Sequence, residues 1–144
     1  MLKAISVLGY VVMAGGIIGL LFTRSLLSPS PFVIVPQVAG TALMIWARVT
    51  FGRRSFHFAA NPTAGGLVTT GPYHFIRHPI YTGMCLLVSA GGLAHLSLST
   101  ILLCGVVWGG AIARIFCEER LVVQQYPEYR QYAASTRRMI PFVF

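Results

Sequence analysis

Residues 5–22 read ISVLGYVVMAGGIIGLLF, an apolar stretch without a single charge. About 20 such residues in helical form cross the hydrocarbon core of a bilayer. The segment, from about Ala4 to Phe22, is therefore read as a membrane-spanning helix. It is longer than the apolar core of a signal peptide. The sequence after it, TRSLLSPS at residues 23–30, has no small-x-small cleavage site, so the helix is expected to be retained. Gly9, Gly15, Gly16 and Gly19 put small residues along it, which predicts close helix packing in lipid.

The rest of the chain extends the same reading. Of its 144 residues, 56% are hydrophobic and only 10% charged, with a mean hydropathy of +0.73. A soluble domain carries about 25% charged residues, so this composition cannot cover a water-facing globule. A second apolar segment runs from about 32 to 49, with Pro36 near its start, and Arg48, Arg53 and Arg54 mark its far end. A third begins at Pro79 and runs to about 94, and a fourth covers about 98–117. Gly91-Gly92 and His95 precede the short turn between them, which predicts a helical hairpin. Residues 52–78 form a polar loop with turn signals at Asn61-Pro62, Gly65-Gly66 and Gly71-Pro72. A loop of this length in a small chain is usually functional or disordered. The fourth segment is expected to continue as a polar helix through CEERLVVQQY into a cytosolic tail, 118–144, whose end, PEYRQYAASTRRMIPFVF, is basic and amphipathic and is expected at the membrane surface. The expected fold class is all-α: one polytopic membrane domain, 1–144, with about four transmembrane helices.

Four spans put both chain ends and the 52–78 loop on one side. That side carries Lys3, Arg53, Arg54, Arg77, Arg120, Arg130, Arg137 and Arg138, against Arg24 on the other. Basic residues stay cytoplasmic, so both termini are expected there. The net charge of +8 is explained by this flanking pattern, and nucleic acid is not an expected partner. Cys85, Cys104 and Cys117 lie in or beside apolar stretches, as small hydrophobes rather than a disulfide or metal framework. No metal site is expected.

Two constellations carry chemistry. The first is GPYHFIRHPIYTG, Gly71–Gly83. Proline is tolerated in the first turn of a helix, so Pro79 places Arg77 and His78 at a helix N-terminus. Free N–H groups, partial positive charge and Arg77 together suit a carboxylate or phosphate. Tyr81 adds an aromatic face for a cation or a ring, and Gly83 permits a close backbone approach. The competing reading is a headgroup anchor. The second constellation is RIFCEER, Arg114–Arg120, which holds Glu118 and Glu119, two of the three acids in the chain. Arg114 and Glu118 are four apart and meet on one helical face, while Glu119 lies about 140° around from Arg114. Here the competing reading is an interfacial ion pair that ends the span. His57 and His95 read as isolated histidines, interfacial or helix-packing.

In this order, around a hydrophobic hairpin, GPYHFIRHPIYTG and CEERLVVQQYPEYRQYAASTRRMIP resemble the isoprenylcysteine carboxyl methyltransferase and phospholipid methyltransferase superfamily, in its small prokaryotic form. The likeness covers about residues 67–141. It implies an inner-membrane enzyme that uses S-adenosylmethionine, releases S-adenosylhomocysteine and methylates a lipophilic or lipid acceptor drawn from the membrane. It further implies that Tyr73, His74, Arg77, His78, Pro79, Tyr81 and Gly83 border the cofactor, with Glu118 or Glu119 on its amino group. Arg114 and Glu119 are then the expected catalytic pair. An acceptor carboxylate is favoured, because a fixed guanidinium can desolvate and orient it. The alternatives are a phospholipid amine N-methyltransferase, a sterol-reductase-like membrane reductase and a non-catalytic scaffold.

Overall fold

The computed structural model describes residues 1–52 and 66–140. Among them the regular elements are helices, α1 (Leu2–Phe22), α2 (Pro31–Phe51), α3 (Pro79–Ala94), α4 (Leu98–Gln125) and α5 (Tyr129–Ser135), with a short 3₁₀ turn at Gly71–His74 before α3. The expected features at Arg53, Arg54, His57, Asn61-Pro62 and Gly65 lie outside the described residues.

Three helices, α1, α2 and α4, are long and apolar enough to cross a membrane. The fourth expected span, α3, has 16 residues. At 1.5 Å per residue it covers about 24 Å, short of the ~30 Å hydrocarbon core. Its bounds are those the sequence predicted, because Pro79 sits in its first turn and lacks the N–H that such a position leaves unused. In α2 that role belongs to Pro31, and Pro36 falls inside the helix. α4 is capped by Ser97, whose side chain accepts from the Thr100 N–H at 3.2 Å. It runs on past the apolar stretch to Gln125.

The helices pair in a nested order, α1 on α4 and α2 on α3, each pair antiparallel. Glycines set both crossings. A Cβ on Gly110 would stand 2.7 Å from the Gly9 carbonyl oxygen, and one on Gly16 would stand 2.7 Å from Val107. Gly15, by contrast, faces open space. At the second crossing a Cβ on Gly40 would lie 2.5 Å from the Gly83 carbonyl oxygen. Buried Gln37 ties the second pair to the α1–α2 turn by donating to the Leu26 carbonyl at 2.6 Å.

The expected α3–α4 hairpin is splayed. Close to their joined ends, Trp108 donates to Ser89 at 3.0 Å and Cys104 approaches the Val88 carbonyl. At the other end the long side chains of Tyr81, Arg114 and Glu118 bridge the gap. Each helix has its tight partner elsewhere, and the wedge this leaves holds the cavity described next.

Candidate active site

The wedge contains a cavity of about 610 Å³, within the 300–1,000 Å³ range of small-molecule sites. Its deep part is apolar, formed by Met13, Ile17, Leu26, Met84, Leu87 and Val88. Its mouth is ionic and aromatic, formed where the 3₁₀ turn, the start of α3 and the end of α4 come together.

Two carboxylates organise that mouth. Glu119 accepts from Arg77 Nε at 2.8 Å and from Arg138 Nε at 3.0 Å, and lies 3.3 Å from His78 Nε2. Glu118 accepts from the Tyr81 hydroxyl at 2.5 Å and from an Arg114 terminal nitrogen at 3.0 Å. Arg114 Nε in turn donates to Tyr81 at 2.6 Å, and another Arg114 nitrogen reaches the Ser6 carbonyl at 3.2 Å. The Arg114 guanidinium also lies 5.2 Å from the centre of the Tyr10 ring. Arg114 is buried although it sits in a largely apolar helix, and this set of partners is why it can be. Among the described residues no buried side-chain polar atom lacks a partner.

The C-terminal tail braces the residues of the mouth. After α5 it turns back as an extended segment that pairs with the chain before α3. The N–H groups of Arg77 and His78 donate to the carbonyls of Arg137 and Arg138 at 2.7 and 2.9 Å. The Arg77 side chain donates to the carbonyls of Ala133 and Thr136 at 2.7 and 2.6 Å. Thr82 reaches the Met139 carbonyl at 2.9 Å, and Met139 is fully buried. The backbone N–H groups of residues 77 and 78 are therefore engaged. The tail's carbonyls occupy them, because a buried backbone donor must find an acceptor.

Aromatic rings complete the mouth: Tyr73, Tyr126, Tyr129 and Tyr132. Tyr132 donates to the Tyr73 carbonyl, and Tyr129 stacks edge-on against it at 5.6 Å. Burial raises the phenols of Tyr73 and Tyr129 above their usual range and pushes that of Tyr132 up to about 12. At neutral pH all three are donors rather than bases.

Of the residues singled out in the sequence, Tyr73, Arg77, His78, Pro79, Tyr81, Arg114, Glu118 and Glu119 line this cavity together. His74 and Gly83 do not. His74 is exposed and packs edge-on against Phe75, and what approaches the Gly83 backbone is helix α2. In the sequence Arg48 and Arg138 read only as flanking charges, and Tyr10 and Tyr126, taken singly, carry no signal that marks them for a site. The tyrosines at 126, 129 and 132 do repeat every three residues, a spacing that could have grouped them on one face. Among the described residues no group of three His, Cys, Asp or Glu side chains could hold a metal ion.

Comparison with known proteins places this geometry in context. A family model for phospholipid methyltransferases matches residues 34–129. Protein-S-isoprenylcysteine O-methyltransferase A of Arabidopsis thaliana is 33% identical over 119 residues, which is 79% of this chain and 60% of that protein. The nickel-cobalt-cadmium resistance protein NccN of Alcaligenes xylosoxydans xylosoxydans is 36% identical over 52% of this chain and 36% of its own length. The cobalt-zinc-cadmium resistance protein CzcN of Cupriavidus metallidurans is 33% identical over 52% of this chain and 35% of its own length. The chain thus spans between about a third and 60% of the length of these curated relatives. No solved structure matches it.

Proposed function

Because the chain belongs to the phospholipid methyltransferase family, we propose that it moves a methyl group from S-adenosylmethionine to a lipophilic acceptor, a carboxylate of the isoprenylcysteine type. The observation that carries this reading is the division of one cavity into an ionic, tyrosine-lined mouth and an apolar interior. A zwitterionic amino-acid moiety and an aromatic base suit the first, and a hydrocarbon chain suits the second.

The cofactor fits the residues present. Its ammonium needs an anion, and Glu118 and Glu119 line the mouth; its carboxylate needs a cation, and Arg48, Arg77 and Arg114 line the same cavity. When bound, it supplies a methyl group activated by a sulfonium. The chain's own task is alignment and exclusion of water, since an in-line displacement requires no covalent enzyme intermediate. Arg77 fixes Glu119 and the tail, so it acts by holding the mouth together. Tyr81 presents its ring near the Glu118 carboxylate, where a cation is favoured twice, by charge and by the π face. Arg114 stands between mouth and interior, where it orients an acceptor carboxylate. In this reading α3 crosses the bilayer as a short span, and both chain ends lie on the cytoplasmic face.

One observation favours a second reading. Arg114 is already engaged by Glu118 and Tyr81, and an amine acceptor is better served by that carboxylate than by a guanidinium. A phospholipid amine is then the substrate. A labelled-methyl assay on the full chain decides between them, with lipid acids, prenyl-cysteines and amino-headgroup lipids as acceptors. Absence of saturable S-adenosylhomocysteine binding by calorimetry would defeat both. If a nicotinamide cofactor rather than S-adenosylhomocysteine raised the melting temperature, a membrane reductase would replace them.

A further inference from the structure

The Arg77–Glu119 pair has a second side. A separate open groove of about 670 Å³ lies on the outer face of α4, between that helix and α5. On α4 its wall is Phe116, Arg120 and Val123, which recur at helical spacing on one stripe. On α5 it is Tyr129 and Arg130, and Arg138 closes the end. Four arginines border the groove, Arg77, Arg120, Arg130 and Arg138, against one carboxylate, Glu119, which Arg77 and Arg138 already share. Arg120 and Arg130 are exposed, and among the described residues neither pairs with a carboxylate. Among the described residues the positive charge of the groove therefore exceeds the acidic charge that faces it.

The surroundings identify the ligand's chemistry. Phe116 is 42% exposed and directly follows the apolar stretch of α4, so the groove opens where hydrocarbon gives way to headgroups. The Arg138 guanidinium is held 5.0 Å over the centre of the Phe116 ring, which fixes a cation at that boundary. Planar guanidinium forks match phosphate oxygens in pairs. We propose that this groove binds the phosphate of an anionic phospholipid, with its acyl chains running past Phe116 into the hydrocarbon. A uniform basic collar that merely keeps one face cytoplasmic would spread its charge around the bundle; here four arginines converge on one concavity that has an apolar edge.

The test uses the full chain, delipidated in detergent and titrated with dioleoylphosphatidylglycerol, with retained lipid counted by native mass spectrometry. Dioleoylphosphatidylcholine and inorganic phosphate are the comparison ligands. Two double variants carry the same loss of charge: Arg120→Gln with Arg130→Gln in the groove, and Lys3→Gln with Arg137→Gln outside it. A direct charge-assisted contact to phosphate is worth about tenfold or more, so losing two in the groove should cost roughly 100-fold. The pair outside it should cost about twofold or less. Equal losses in the two doubles would reduce the groove to diffuse surface charge and overturn the proposal. Equal retention of phosphatidylcholine would do the same. Inorganic phosphate binding as tightly as phosphatidylglycerol would show that the membrane is not the source.

Discussion

Replacing Arg77 by alanine removes three hydrogen bonds from a side chain that is 7% exposed: one to Glu119 at 2.8 Å and two to the carbonyls of Ala133 and Thr136. Breaking a buried ion pair by deleting one partner costs about 3–5 kcal/mol when the other charge is stranded. Glu119 is not stranded here, because Arg138 and His78 remain within 3.3 Å. The two carbonyls do lose a charged donor, worth about 1.5–3 kcal/mol in total once water reaches them. The expected loss of stability is therefore about 2–4 kcal/mol. At about 4 °C per kcal/mol for a chain of this size, the melting temperature of the detergent-purified protein should fall by about 8–16 °C. Arg77→Lys keeps the charge but not the fork, and should recover about half of that. Affinity for S-adenosylhomocysteine, read by calorimetry below the melting range, should weaken by about 1–3 kcal/mol in the alanine variant. A melting temperature within about 2 °C of the parent would refute the reasoning, whatever happened to the ligand. The tail would then be held without Arg77.

Four further outcomes are expected. Arg114→Lys should lower turnover of a carboxylate acceptor about 10- to 100-fold, the scale of a lost charge-assisted contact; unchanged turnover with unchanged cofactor affinity would leave the amine reading. Gly83→Ala should destabilise the protein by about 1–3 kcal/mol in thermal unfolding, because its Cβ would meet the Gly40 carbonyl and Met44, and a neutral result would contradict the tight α2–α3 crossing. The Tyr132 phenol is raised from 10.0 to about 12 by burial, so the stability it contributes is fully present below pH 10 and is lost as pH rises through 12. Unfolding measured from pH 9 to 11.5 should steepen above pH 10, and Tyr132→Phe should flatten that slope; an identical slope would assign the alkaline loss to other groups. In a background without native cysteines, Ser135→Cys should react with a membrane-impermeant thiol probe only from the cytoplasmic side, and Ser97→Cys only from the opposite side. Labelling of Ser135→Cys from outside would sink the four-span topology.

The legible parts of this protein are those with a local physical cause. A run of apolar residues is enough to place α1, α2 and α4, and Pro79 is enough to start α3 at the right residue. The polar run CEERLVVQQY is enough to carry α4 on to Gln125, while α2 ends at Phe51, two residues beyond the expected end, because Thr50 and Phe51 continue a helix as readily as they leave it. Glu118 and Glu119 could be singled out because acids are scarce here and a charge near membrane depth demands a partner. Arg138 and the tail's backbone could not. Their contacts with Arg77 and His78 join distant parts of the chain through carbonyl oxygens, and no residue pattern announces which carbonyl will accept. Arg48 was read as a flanking charge for a similar reason: only the pairing of α2 with α3 turns it toward the cavity. Gly83 shows the converse limit, since a glycine signals close approach without saying whether a ligand or a helix approaches. The family match extends into α2, a region whose sequence alone reads as a generic span.

The nested pairing of helices also governs how the protein is made. Helices α2 and α3 are near neighbours in sequence and can close on each other as soon as both are in the bilayer. Helix α1 has no such option. Its partner is α4, and Gly9 must wait for Gly110 to be synthesised, an interval of roughly 5–20 s at ordinary ribosomal speeds. Throughout that time the first helix lies in lipid with Gly9, Gly16 and Gly19 uncovered, a surface that any other helix with small residues can occupy. A chain that stalls or is cut before α4 therefore leaves an orphaned first helix, while the middle of the protein is already assembled. The stretch from α4 onward both completes the bundle and supplies Tyr126, Tyr129 and Tyr132 to the mouth of the cavity, so the pairing of α1 and the completion of the site depend on the same part of the chain.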